Sequence, residues 1–332
     1  MIYYVSHPGH CYTIGVVLLY HGERLRDLFR LVPYGKLNPL KQAGPGVVIW
    51  TDFDRLSEGE LAEAAALRNE LKASRTDLAH LNDPRRSEQR FALLRRLHDE
   101  GSNAFGVRRP DEPLDGLRYP VFLRDEVGAS YAAPPLLRDR NALEAAIAAL
   151  PGSGLIRPMI VEFGTRPAPD GFYRKYGAYR VGEEIFPQHC FIHRDWFIKH
   201  APHLRVEHRD EHYAYFFGNP HAAELRRLFD AAHIEFGRID YTMVDGRIQV
   251  FEINTNPAVL ADPPTLFQPY DQRPYARGYV EALLALPQAA VVGRHDELDR
   301  RHRRHLRRLR REFRRARWRL TLERAKRRCL GR

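Results

Sequence analysis

The sequence predicts an α/β protein: an N-terminal parallel-sheet domain, a second region of mixed strands and helices, and a basic helical tail. Three observations predict it. Apolar runs alternate with helical periodicity in the first third of the chain, strand-like runs crowd the middle and end in a tight hairpin, and arginine dominates the C-terminal end. Strands separated by helical segments are the pattern of a parallel sheet.

Met1 to Val5 is β-rich, and Val47-Val48-Ile49-Trp50 is an apolar run that exits into Thr51-Asp52-Phe53-Asp54. Ser57-Glu58-Gly59-Glu60 carries a capping-box signal for a helix through Leu61, Leu67 and Leu71. Asn82-Asp83-Pro84 breaks the pattern, and Phe91, Leu94 and Leu97 resume it. Pro110 and Pro113 mark a turn-rich boundary, so residues 1–115 read as the first domain and 116–270 as the second. Within the second, Tyr119 to Arg124 is a strand and Leu136 to Leu150 a helix stopped by Pro151-Gly152-Ser153-Gly154. Ile156 to Phe163 and Phe172 to Val181 are strands, and Glu184-Ile185-Phe186 returns from the latter as a hairpin. Residues 220–235 form an amphipathic helix, and Ile239–Met243 and Ile248–Ile253 flank the turn Val244-Asp245-Gly246-Arg247. Residues 271–332 are linker and tail.

Composition limits the function classes. The chain has 332 residues, 44% hydrophobic and 29% charged, the balance of globular domains with real cores. No apolar run approaches the ~20 residues of a membrane-spanning helix. The short run Ile14 to Tyr20 has no basic segment before it, which argues against a secretory signal. Cys11, Cys190 and Cys329 are too scattered for a disulfide framework or a structural zinc site, so a reduced, cytoplasmic protein is expected. The net charge of +11 is localised. Residues 294–332 hold 18 basic against 5 acidic side chains, and the remainder 35 against 37. A high overall charge is therefore no argument that the body binds nucleic acid.

The chemistry concentrates in Arg238-Ile239-Asp240 and in Phe251-Glu252-Ile253-Asn254-Thr255-Asn256-Pro257. Alternate strand residues share a face, so Glu252 and Asn254 point one way and Phe251 and Ile253 into the core. Across the hairpin Arg238 and Asp240 share a face too, which brings two carboxylates, an amide oxygen and a guanidinium together. Oxygen ligands suit Mg²⁺, which combines one or two carboxylates with substrate phosphates. A guanidinium beside it steadies developing negative charge. An isolated Glu-x-Asn is usually a solvated strand face; the accompanying Arg-x-Asp and Asn-Pro turn make this set specific.

These residues resemble the metal-binding end of the ATP-grasp superfamily, as in D-alanine–D-alanine ligase. The resemblance covers residues 116–262, with the 1–115 unit where the family keeps a preceding domain. It implies an ATP-dependent ligase that makes an acyl-phosphate from a small-molecule or peptide carboxylate and passes it to an amine. By the same resemblance Asp240, Glu252 and Asn254 hold two Mg²⁺ (or Mn²⁺), and Arg238 stabilises the intermediate. Glu162, Phe163 and Gly164 stand at the hinge that meets adenine and ribose, Arg124 where the family has a phosphate-binding lysine, and Lys175 beside it as a second cation. One stretch departs from the family. The phosphate loop would be Asp125-Glu126-Val127-Gly128-Ala129-Ser130, whose two acids make a poor cradle for polyphosphate. That departure favours a second reading, an ATP-binding regulatory module with weak catalysis.

Weaker signals have structural readings. His189-Cys190-Phe191-Ile192-His193 lacks a second cluster and is expected to be structural. Trp196 and Lys199 either line the acceptor side or pack ordinarily, and Asp52 and Asp54 are expected to cap a helix more than to touch substrate. In the tail, Leu306, Leu309, Phe313, Ala316 and Leu320 form an apolar helical stripe among arginines. It suits docking on the body, an oligomer, or contact of residues 294–332 with RNA, ribosome or anionic membrane. The last of these motivates a third reading, a macromolecule-associated protein recruited by its tail.

Overall fold

A computed structural model describes residues 1–20, 24–128, 133–199, 206–259 and 273–286. The basic tail 294–332 and its expected helix lie outside the described residues.

The first sheet has parallel order β2-β1-β3-β4, from β1 (Ile2–Ser6), β2 (Phe29–Pro33), β3 (Gly46–Trp50) and β4 (Leu78–Leu81). Helix α1 (Tyr12–Tyr20) follows β1, and α2 (Glu58–Ser74) joins β3 to β4. Every residue of β1 and β3 is buried, because both sheet faces are covered. On one face Tyr3, Val48 and Trp50 pack against Leu61, Ala64 and Leu67 of α2. On the other, Ile2, Tyr4 and Ile49 meet Ile14, Val17 and Leu18 of α1 together with Tyr179, Phe236 and Tyr279 from far along the chain. The capping box forms as expected: Ser57 accepts from the Glu60 amide while the Glu60 carboxylate accepts from the Ser57 amide.

Helix α3 (Arg90–Asp99) and strand β5 (Val107–Arg108) lie within the expected first domain but pack against elements of the second. Strand β5 joins an antiparallel sheet of order β5-β7-β6 with β6 (Val121–Asp125) and β7 (Pro158–Glu162). Between them, α4 (Arg140–Ala148) is shorter than the sequence suggests. Leu137 forms a strand bridge to Val121, and Asp139 caps the helix by accepting from the Ala142 amide. An extended residue in a sheet cannot belong to the helix, so the helix starts after it.

The third sheet is antiparallel with order β11-β10-β8-β9, from β8 (Tyr173–Val181), β9 (Glu184–His193), β10 (Phe236–Val244) and β11 (Arg247–Asn254). Helices α5 (Val206–Gly218) and α6 (Ala222–Ala231) precede β10, and α7 (Arg273–Ala285) packs on β8 and β9. The α6 helix is a compact part of the predicted 220–235 segment, ending before Ile234 turns into the core. A bulge between Asp240 and Tyr241 pairs Asp240 with Glu252 but Tyr241 with Val250. The extra residue, Phe251, leaves the core of Val250 and Ile253 and joins Phe105 and Phe122 on another face. This corrects the simple alternation, under which Phe251 and Ile253 would share one core.

An asparagine joins the first sheet to the third. Asn82, with φ +64°, donates to the carbonyls of Trp50 and Phe236 and accepts from the amides of Glu235 and Phe236, at 2.8–2.9 Å. Its side-chain amide is wholly buried and saturated. Asn82→Ala would leave those backbone groups without partners, and unfolding in urea should show a loss of about 3 kcal/mol with an unchanged denaturant slope.

Candidate functional site

The site lies where β10 and β11 face the loops of the first two sheets, around a cavity of about 650 Å³. It is lined by Lys175, Arg238, Asp240, Glu252 and Asn254, and on the opposite wall by His10, Asp54, Arg55, Arg90 and Gly128. The structure thus brings together the residues read from the hairpin and sets opposite them Asp54, for which the sequence favours helix capping, with His10, Arg55 and Arg90, which the sequence does not single out.

Asp240 and Glu252 are direct cross-strand partners. Like charges in that position repel unless neutralised. Asp240 is buried, and Arg238 holds it through Nε to Oδ1 at 2.8 Å and Nη2 to Oδ2 at 3.2 Å, while Lys175 Nζ reaches Oδ2 at 2.7 Å. Burial alone would raise the Asp240 carboxyl, but Arg238 and then Lys175 outweigh it and keep it well below the usual carboxylate range. Burial pushes the Lys175 ammonium down, with Asp240 opposing. Glu252 ion-pairs with Arg90 and faces Arg124 Nη2 at 3.9 Å. Arg124 is pushed well below its ordinary value by burial and then by Arg90.

The oxygen donors can be tested against a hard divalent cation. Among the described residues no group of three or more His, Cys, Asp and Glu side chains is placed as a metal cluster. Both Asp240 oxygens are engaged by cations, and Glu252 Oε2 is buried in its ion pair with Arg90 without a well-formed hydrogen bond. Asn254 Oδ1 accepts from the Asn256 amide at 2.8 Å and keeps a second lone pair. Carboxylate and amide oxygens beside a cationic cavity fit Mg²⁺ held jointly with phosphate oxygens.

A second cavity, of about 100 Å³, adjoins the first and shares Lys175, Lys199 and Glu252 with it. Phe105, Phe122, Phe163, Trp196, Phe197 and Phe251 make it aromatic. Trp196 lies 5.2 Å from Phe122 and edge-on to Phe163 at 5.3 Å. Gly164 is needed by close approach: a Cβ there would lie 2.3 Å from the Phe105 ring. Glu162 lines this cavity, but its carboxylate is occupied. Oε1 accepts from the Arg118 amide and Oε2 from the Gly106 amide, both at 2.9 Å, with the Arg118 guanidinium also on Oε2. Burial would raise its pKa, and the Arg118 bonds bring it below the ordinary value. Lys199 sits at the junction with its ammonium 5.3 Å over the Phe197 ring. Burial first, and Lys175 and Arg124 next, push its pKa down to about 8.

The loop acids behave differently from the sequence expectation. Asp125 turns to the backbone, accepting from the amides of Val127, Ile156 and Arg157. Glu126 is buried, accepting from the Phe91 amide at 3.2 Å and from Arg109 at 2.6 Å. The two charges are spent on holding the loop and the start of α3, which removes the basis for expecting an electrostatically hostile cradle. Arg90, at that helix start, also donates to the carbonyls of Asp125, Glu126 and Gly128. Nothing in the local sequence marks Arg90, since the loop it clamps begins 35 residues away.

The remaining expectations separate. His189 is buried and stacked on Phe191 at 3.9 Å, and its ring fills the space above Gly177. Cys190 is buried in the core as expected of a structural residue, whereas His189 and Phe191 also line the first cavity. Arg157 donates to the Asp54 carbonyl and to Gln89 Oε1. Asp52 makes no helix-capping bond, contrary to expectation, and its carboxylate turns to His10 and Asn256.

No protein-family model matches the chain, and no curated protein matches it. Solved structures do. One is D-alanine–D-alanine ligase from Bacillus anthracis complexed with ATP, at 13% identity over 86% of this chain and 94% of that one, with a TM-score of 0.50. Another is carboxyaminoimidazole ribonucleotide synthase from Aspergillus clavatus complexed with ATP, at 14% identity over 87% of this chain and 78% of that one, also at 0.50. At such identities the likeness is one of fold. No helix among the described residues is long and apolar enough to cross a membrane.

The cation excess makes a pH-dependent prediction. Lys199 is charged below about 8 and loses its charge above it. Binding of inorganic tripolyphosphate, followed by calorimetry from pH 7 to 9, should weaken about fivefold relative to Lys199→Met, the equivalent of about 1 kcal/mol for one ion pair.

Proposed function

We propose, from the premise that the chain has the ATP-grasp fold, that it is an ATP-dependent ligase. It would activate a carboxylate as an acyl-phosphate and pass the acyl group to an amine. The observation that carries this reading is the opposed pair Asp240 and Glu252, ringed by Arg90, Arg124, Lys175 and Arg238 beside an aromatic cavity.

The residues divide the work by chemistry. The aromatic slot of Phe105, Phe163, Trp196 and Phe251 takes a planar base, with Gly164 keeping Phe105 close. Glu162, held by Arg118 and the Gly106 amide, aligns the strand end at that slot. Lys175 and Lys199, which line both slot and cavity, and Arg124, which lines the slot, meet the phosphates. Glu252 and Asn254, with Asp240 behind them, would hold Mg²⁺, which neutralises phosphate charge when bound. Arg238, oriented by its two bonds to Asp240, presents its remaining donors to oxygen charge developing at the acyl carbon. Catalysis of this kind is positioning and charge neutralisation, and it needs no covalent nucleophile from the protein.

The test is thermal unfolding of wild type and Glu252→Gln, each with and without ADP and Mg²⁺. Ligand at about 100 times its dissociation constant stabilises by about 2.7 kcal/mol, a rise of several degrees for a chain of this size. A metal-dependent rise in wild type that shrinks in Glu252→Gln is expected. No rise with any nucleotide overturns the reading.

A further inference from the structure

The wall opposite the β10–β11 hairpin carries a group that the proposed chemistry has not used. His10 lies in the loop after β1, and Asp52 and Arg55 lie in the loop after β3, so both loops leave the carboxyl ends of neighbouring parallel strands. In open α/β sheets that is where ligands are met. His10 Nδ1 is 2.5 Å from Asp52 Oδ1, and the Asp52 side chain is fully buried. The other Asp52 oxygen accepts from the His7 amide at 2.8 Å and from Asn256 Nδ2 at 2.7 Å. Asn256 Oδ1 in turn accepts from Tyr4 at 2.7 Å and from Thr13. Asp52 adopts φ +61°, a backbone strain usually tolerated where geometry matters.

This arrangement sets the tautomer. With Nδ1–H donated to the carboxylate, Nε2 carries the lone pair, and it faces Arg55 Nη2 at 3.4 Å on the cavity side. Asn256 is two residues beyond Asn254, so the strand end that bears the proposed metal donors is bolted to the His–Asp pair. A histidine aimed into the reaction cavity and oriented by a buried carboxylate is the arrangement that acid–base catalysis requires.

We propose that His10, oriented by Asp52, is the general base that deprotonates the attacking amine. The inference rests on the ligase reading above. In the step, the amine nitrogen forms a bond to the acyl carbon, the carbon–oxygen bond to phosphate breaks, and inorganic phosphate leaves with the electron pair. The ammonium proton passes to His10 Nε2 and then to solvent before the attack, and the second N–H proton leaves with the phosphate. Arg55 lies beside the ring and yields its contact with Nε2 to the incoming nitrogen. Its Nε is buried without a hydrogen-bond partner, 3.8 Å from Asp52. The titratable and charged groups around His10 are Asp52 and Arg55 from the β3 loop, His7 and Tyr12 from its own loop and α1, and Tyr4 through Asn256.

The test separates the two halves of the reaction in the full chain. Carboxylic acids are supplied with ATP and Mg²⁺, and the acyl-phosphate is intercepted either by hydroxylamine, whose nitrogen is already neutral at pH 7.5, or by free amino acids as protonated amines. His10→Gln, which keeps an N–H for Asp52, should lower amide formation by about 100-fold or more and hydroxamate formation by less than about tenfold. The pH profile of amide formation should differ between wild type and His10→Gln. Added imidazole should restore amide formation to His10→Ala, an effect that a purely structural histidine would not give. Equal losses in both assays, or an unchanged pH profile, overturn the base assignment while leaving the ligase reading intact. No hydroxamate from wild type with any acid overturns both.

Discussion

Two carboxylates held face to face on an antiparallel ladder are the constraint on which the rest of the site depends. Asp240 and Glu252 would repel one another across β10 and β11, and the fold answers with one cation from β10 and three from other elements. Arg238 comes from the same strand, Lys175 from the neighbouring β8, Arg90 from the start of α3 and Arg124 from β6. The last three each bring a different element to the hairpin, so neutralising the pair also assembles the cleft.

The cations outnumber the pair they neutralise. The depressed value of Lys199 records that excess, since Lys175 and Arg124 add to the effect of burial. A cleft that repels its own ammonium groups is stabilised by polyanions, which ties the charge pattern to the proposed use of a nucleotide triphosphate. The acidic loop, by contrast, spends its charge locally. Asp125 and Glu126 cap backbone amides and Arg109, and the loop's carbonyls are clamped by Arg90. Residue type alone suggested a hostile cradle; orientation reverses the conclusion.

Long-range joints decide the other wall of the cleft. Asn82 bridges β3, through the Trp50 carbonyl, to the start of β10, and Asn256 bridges the end of β11 to Asp52 and His10. These contacts span 154 and 204 residues, and both use side-chain amides saturated on donor and acceptor sides. Local sequence shows an asparagine in a turn in each case. That His10 and Asp52 form a pair is visible only once the β1 and β3 loops are neighbours, because a His–Asp pair has no spacing rule in sequence.

The sequence by itself determined what depends on near neighbours: the parallel-sheet pattern, the Ser57 capping box, the 244–247 hairpin, and the shared face of Arg238, Asp240, Glu252 and Asn254. A hairpin closes over few residues, so its register and its chemistry are written locally. Tertiary structure alone decided the bulge that sends Phe251 to the aromatic slot, the late start of α4 and the engagement of Glu162 by Arg118. It also decided which cations reach Glu252 and which side chains face the hairpin across the cavity. Those outcomes depend on which surfaces meet after collapse, and packing and buried charge between distant segments leave no periodicity in the chain to read.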